Sequence, residues 1–228
     1  MKTIVYIDGY NLFYGCLKHT RDKWLDLHAL FAGHILKAQC PEAELVSIKY
    51  FTAPIRSKVA SQGEHALAAQ QSYHRALELL YPEKVEIVHG YYSLEKAKLL
   101  AYKQPPDKTH RVDVWKLEEK QTDVNIALTA YRDAATGRAE QLVFVSNDTD
   151  IEPALKAIRE DMGSTRQLGV IIPIRRPKGS ATRRPPNQRL SDWSDWTRSH
   201  ITDEELANSQ LPEKIPTKKK PIIKPPYW

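Results

Sequence analysis

The sequence predicts an α/β fold: a doubly wound, mainly parallel sheet flanked by helices. Three observations predict it. Short apolar runs rich in β-branched residues, such as Thr3-Ile4-Val5-Tyr6-Ile7 and Leu142-Val143-Phe144-Val145, do not alternate with polar residues, the pattern of strands buried on both faces. Stretches with apolar residues at helical spacing separate such runs, and strand–helix alternation favours parallel pairing. Two runs stop at an aspartate, Asp8 and Asp148, and in such sheets the carboxyl ends of the strands form the ligand crevice.

Residues 3–7 form the first strand; Gly9 follows, and residues 11–17 read as an amphipathic helix. Leu27, Leu30, Phe31 and Ile35 repeat at helical spacing and predict a helix over residues 25–38. Residues 45–52 read as the next strand. Tyr73, Leu77, Leu80 and Tyr81 share one stripe of a long helix over 61–80, which Pro82 ends. A strand returns over 84–92. Residues 98–103 and 109–117 flank the turn signal Gln104-Pro105-Pro106-Asp107 and predict a hairpin. Its lysines make it a candidate substrate-facing arm, or an exposed solvated hairpin.

Thr122 and Asp123 are good helix-starting residues, and the helix continues over 124–135 before Gly137. After the strand ending at Val145, a helix runs over 151–160 with Pro153 in its first turn, where N–H groups lack intrahelical partners. Residues 167–174 read as the last strand. Residues 175–190 read as a basic, proline-containing loop, and 190–209 as two short helices whose Trp193, Trp196, Ile201 and Leu206 can dock on the body. The chain therefore divides into one domain over 1–208 and a tail over 209–228, whose prolines and lysines predict an extended or disordered segment.

At 228 residues, 41% hydrophobic and 27% charged, the composition is that of a globular protein with a substantial core. Cys16 and Cys40 make neither a disulfide framework nor a zinc site, so a reducing cytoplasm is the expected location. Nothing approaches the ~20 apolar residues of a membrane span, so no membrane association is expected. No glycine-rich phosphate loop is present, which argues against a nucleotide cofactor. The eight histidines show no metal-ligand spacing. The formal charge of +6 is uneven: residues 175–190 hold a local +6 and residues 212–228 a local +4, leaving the rest acidic on balance. Basic segments on an acidic body suit a polyanionic partner, although they would also serve solubility alone.

Asp8 and Asp148, with Asp123 and Asp150, form a candidate acidic pocket whose charges repel unless a divalent cation lies between them. Some of the candidate residues have a structural alternative. Asp123 and Asp150 are candidate helix caps, and Asn11 a backbone-bonding turn residue. Asp8 and Asp148 have no evident cap partner.

The block Val5-Tyr6-Ile7-Asp8-Gly9-Tyr10-Asn11 resembles the opening motif of NYN domains, members of the PIN-like nuclease superfamily. Residues 118–127, Glu118 to Ala127, resemble their central motif, and Ser146-Asn147-Asp148-Thr149-Asp150 is similar to their third. The final strand and short helices look like the LabA-like subgroup. The resemblance implies a PIN-like sheet and a Mg²⁺- or Mn²⁺-dependent ribonuclease, with Asp8, Asp123 and Asp148 on metal-binding positions and Asp150 on a fourth acidic one. Asn11 falls on a position lining the same pocket. On this basis Asp8 and Asp148 are expected as primary ligands, completed by Asp123, with Asp150 in support. Lys120, Ser146 and Asn147 are expected to contact RNA, as are Arg183 and Arg184 of the basic loop. The alternative is a catalytically inactive RNA-binding or regulatory module of the same fold. Oligomeric state is not legible.

Overall fold

The computed structural model describes residues 1–176 and 187–228. Arg183 and Arg184 therefore lie outside the described residues. A six-stranded, wholly parallel sheet runs in the order β3-β2-β1-β6-β7-β8. Its strands are β1 (Lys2–Asp8), β2 (Glu44–Thr52), β3 (Val85–His89), β6 (Gln141–Val145), β7 (Gln167–Ile171) and β8 (Trp196–Arg198). Val5 and Ile7 face one apolar layer, and Ile4 and Tyr6 the other. Both faces are buried, so the strands read as continuous apolar runs.

The first layer holds the helical segment Ala29–Leu36, which ends in α2 (Lys37–Gln39), and α3 (Gly63–Leu80). The second holds α4 (Thr122–Ala135), α5 (Glu152–Met162) and α6 (Gln188–Trp193). α1 (Gly9–Leu12) leaves β1 directly and widens into a π turn over Phe13–Leu17. Gly9 is required there: a Cβ would lie 2.6 Å from the Phe51 carbonyl oxygen.

Three expectations need correction. The strand expected over 84–92 divides at Gly90. Beyond it β4 (Tyr91–Leu100) pairs with β5 (Arg111–Lys120) as a separate antiparallel ribbon, longer than the expected hairpin. Residues 190–209 do not form two helices alone. β8 adds a parallel edge strand between α6 and α7 (Asp203–Ala207).

Of the two expectations for the tail over 209–228, extended or disordered, the structure shows the extended one, and docks it on the domain over 1–208. Leu211, Ile215 and Ile222 are buried in the first apolar layer, and β9 (Lys214–Ile215) pairs with β10 (Ile222–Ile223). The Trp24 indole N–H donates to the Pro212 carbonyl at 2.9 Å, and Trp228 packs on Tyr73 with ring centroids 5.6 Å apart. Proline and lysine content predicts extended backbone, but the large apolar residues between them supply enough buried area to dock it.

Tyr6, Lys49 and Asp133 form a polar cluster inside the second layer. Asp133 is 1% exposed; its Oδ2 accepts from the Tyr6 hydroxyl at 2.9 Å and from Lys49 Nζ at 2.6 Å. Arg138 stands 3.6 Å from its other oxygen.

Candidate active site

The carboxyl ends of β1 and β6 adjoin in the sheet, so Asp8 and the 146–148 segment meet at one edge. Asp8 is 3% exposed and densely bonded. Its Oδ1 accepts from the Asn11 backbone N–H at 2.9 Å; its Oδ2 accepts from Asn11 Nδ2 at 2.5 Å and Ser146 Oγ at 3.0 Å. Ser146 Oγ in turn accepts from the Asp148 N–H at 3.0 Å. Asn147 N–H donates to Asn11 Oδ1 at 3.4 Å, and Asn147 Oδ1 accepts from the Asn187 N–H at 3.0 Å. Asn11, Ser146 and Asn147 thus fasten the β1 and β6 ends together.

The capping roles are the reverse of those expected. Asp8 caps α1 through the Asn11 N–H, and Asp148 caps the 3₁₀ turn Thr149–Ile151 by accepting from the Asp150 N–H at 3.1 Å. Asp123 does not cap α4; it sits within its first turn behind Gln121, whose φ is +75°. A carboxylate that caps one helix turn still has lone pairs for a cation.

Asp8, Asp123 and Asp148 line one cleft of about 280 Å³, with Tyr10, Asn11, Tyr14, Tyr92, Leu117, Glu119 and Thr122 completing its walls. Glu119 is the cleft's fourth carboxylate, the place expected for Asp150. Its Oε1 accepts from the Thr122 hydroxyl. Asp150 is exposed and outside the lining, although its charge is felt at Asp123. Lys120 is corrected likewise. It sits on the ribbon face opposite Glu119, 2.7 Å from Glu118, and does not reach the cleft.

Among the described residues, no lysine, arginine or histidine lines this cleft. Burial raises the Asp8 carboxyl above its usual range against the pull of Asn11 and Ser146, and the Glu119 charge adds to the rise. Burial also raises Glu119, and Asp123 is pushed up to about 6 by burial and then by Asp8, Asp148 and Asp150. Uncompensated carboxylates of this kind suit a hard divalent cation in charge and donor chemistry. Among the described residues, no three His, Cys, Asp or Glu side chains stand close enough to hold one ion as placed. Mg²⁺ commonly takes only one or two carboxylates and completes its shell with water and phosphate oxygens, so the donor set fits such an ion without a closed cage.

A raised carboxylate costs folding stability above its folded pKa, because the native state must surrender its proton. Without divalent ions, the stability gap between wild type and Asp123→Asn should therefore be largest above pH 6 and close as pH falls toward 4. Discounting for solvent access, the variant should gain on the order of 1 kcal/mol at pH 7.5. Thermal melts at both pH values would measure this. A variant less stable at pH 7.5 would contradict the repulsion.

Comparison with known proteins bears on the family and the fold. The NYN domain model matches residues 2–182. The chain is 42% identical over 244 aligned positions to a protein of Pseudomonas putida (strain DSM 28022 / S16) named 6-hydroxy-3-succinoylpyridine 3-monooxygenase HspA, covering 100% of this chain and 75% of that protein. A solved structure titled as a protein of unknown function, VPA0982 from Vibrio parahaemolyticus RIMD 2210633, shares the fold. Its TM-score is 0.50 at 18% identity, over 92% of this chain and 96% of that one. Among the described residues no helix is long and apolar enough to cross a membrane. With a parallel sheet, three motif blocks meeting at one edge and a match over most of its length, the chain belongs to the NYN domain family.

Proposed function

We propose that the chain is a metal-dependent ribonuclease that hydrolyses RNA phosphodiester bonds in this cleft, endonucleolytically, leaving 5′-phosphate and 3′-hydroxyl ends. The observation that carries the reading is the convergence of Asp8, Glu119, Asp123 and Asp148 on a cleft that, among the described residues, no cationic side chain lines. A phosphodiester cannot approach such a wall unless a cation offsets the repulsion. Bound Mg²⁺ or Mn²⁺ supplies that charge and the Lewis acidity that phosphoryl transfer needs. Asp8 and Asp148 would hold it, with Asp123 and Glu119 beside them. Asn11 and Ser146 fix the Asp8 carboxylate, and the paired rings of Tyr10 and Tyr14, 4.3 Å between centroids, offer a stacking wall for a base.

A second reading is hydroxylation of a small hydroxylated pyridine. It is favoured by a similarity that spans the whole of this chain and 75% of a protein named for that activity, and by the tyrosine-lined cleft. One assay separates the two. Single-stranded RNA incubated with Mg²⁺ or Mn²⁺ should be cut, with cutting abolished by EDTA and by Asp148→Asn. Cyclic phosphate ends, or cleavage that survives both treatments, would refute the first reading. Dioxygen uptake with a hydroxypyridine and a two-electron donor, and no RNA cleavage, would establish the second. RNA binding with neither activity would mark an inactive module.

A further inference from the structure

The β4–β5 ribbon has two chemically different faces. In its antiparallel register Tyr92 pairs with Glu119, Leu94 with Leu117, Lys96 with Trp115, Lys98 with Asp113 and Leu100 with Arg111, so these side chains share one face. Tyr92, Leu117 and Glu119 of that face line the cleft, which makes the face a continuation of the cleft wall. Trp115, four residues before Glu119 on β5, lies about 13 Å out along the strand. It is 71% exposed and flanked by exposed Lys96 and Lys98, with Arg111 further out. On the opposite face Lys116 and Lys120 are both ion-paired to Glu118. Among the described residues Lys96 and Lys98 form no ion pair, and Asp113 is the one acid among these outer residues.

From this we propose that the cleft-facing side of the ribbon is a platform for single-stranded RNA, with a base stacked on Trp115 and phosphates on Lys96, Lys98 and Arg111. The inference rests on the ribonuclease reading of the cleft. An exposed indole between unpaired cations meets the two needs of sequence-tolerant single-strand binding, a π face and backbone charge. A protein partner fits less well, because interface cores are depleted in lysine and here lysines flank the exposed indole. A duplex keeps its bases paired and stacked, so Trp115 has no base to take and single strands are preferred. An isolated two-stranded ribbon is marginally stable in water, and bound RNA would supply the missing contacts.

The test is fluorescence titration of the full chain with a labelled 12-nucleotide single-stranded RNA and with the same sequence as a duplex, both in EDTA so that nothing is cut. Wild type should prefer the single strand. Trp115→Ala should weaken that binding about tenfold, and Trp115→Phe should restore most of it. Replacing Lys96 and Lys98 together with alanine should flatten the logarithmic salt slope by roughly 1.4. Trp115 lies outside the core, and circular dichroism would check that the variants fold. Unchanged affinity in a folded Trp115→Ala overturns the platform, and so does a wild-type dimer in sedimentation that this substitution dissociates. If wild type cuts RNA while Trp115→Ala binds normally, the ribonuclease reading stands and the platform falls. Trp115-dependent binding with no cleavage in Mn²⁺ leaves the platform and removes the ribonuclease.

Discussion

Asp8→Asn is expected to lower kcat/KM for RNA cleavage on the order of 10³-fold, the scale of losing one preorganised electrostatic group. Two effects combine at this position. The substitution removes the charge nearest the strand edge, and it misplaces its neighbours. Asn11 N–H, Asn11 Nδ2 and Ser146 Oγ converge on two carboxylate oxygens, whereas an amide offers one oxygen and an NH₂ group that must meet a donor. By contrast, Asp150→Asn should cost less than tenfold, since that side chain is exposed and outside the cleft lining. Steady-state cleavage assays with Mn²⁺ would rank them. An Asp8→Asn protein retaining a tenth of wild-type activity would place the chemistry elsewhere.

The largest stability loss is expected from Asp133→Ala, about 3 kcal/mol, because it takes the near carboxylate from Lys49, which is 8% exposed, and leaves it the more distant Glu86 at 3.8 Å. The Tyr6 hydroxyl loses its acceptor at the same stroke. Converting the pair together, Lys49→Met with Asp133→Leu, should recover most of the loss, since two well-packed apolar residues leave no charge unpartnered. Urea denaturation of wild type, single and double variants would decide. A double variant as unstable as the single one would show that packing volume, and not the poorly compensated ammonium, sets the cost.

The sheet was legible because its strands are covered on both sides, which writes unbroken apolar runs into the sequence. Asp8, Asp123 and Asp148 were legible because they follow such a run or open a helix. Glu119 was not, since a strand read as ending at Leu117 hides that the two share a ribbon face; three more residues of alternation bring Glu119 into the cleft. Lys49 and Asp133 were hidden for another reason. They are 84 residues apart, and neither departs from the pattern of its own element until the two are packed together. Trp196 likewise reads as an anchor for a helix, yet its ring lies over Gly169 and the residue belongs to an edge strand.

The docked C-terminal hairpin has a consequence for synthesis in the cell. Trp24 leaves the ribosome early, but the carbonyl that receives its indole N–H lies 188 positions later. Domains generally fold as units during translation, and so distant a contact postpones closure of this side of the molecule. A nascent chain stalled before residue 211 would expose a tryptophan and its apolar neighbours to chaperones. Premature termination there should thus yield an aggregating product and not a shortened working protein.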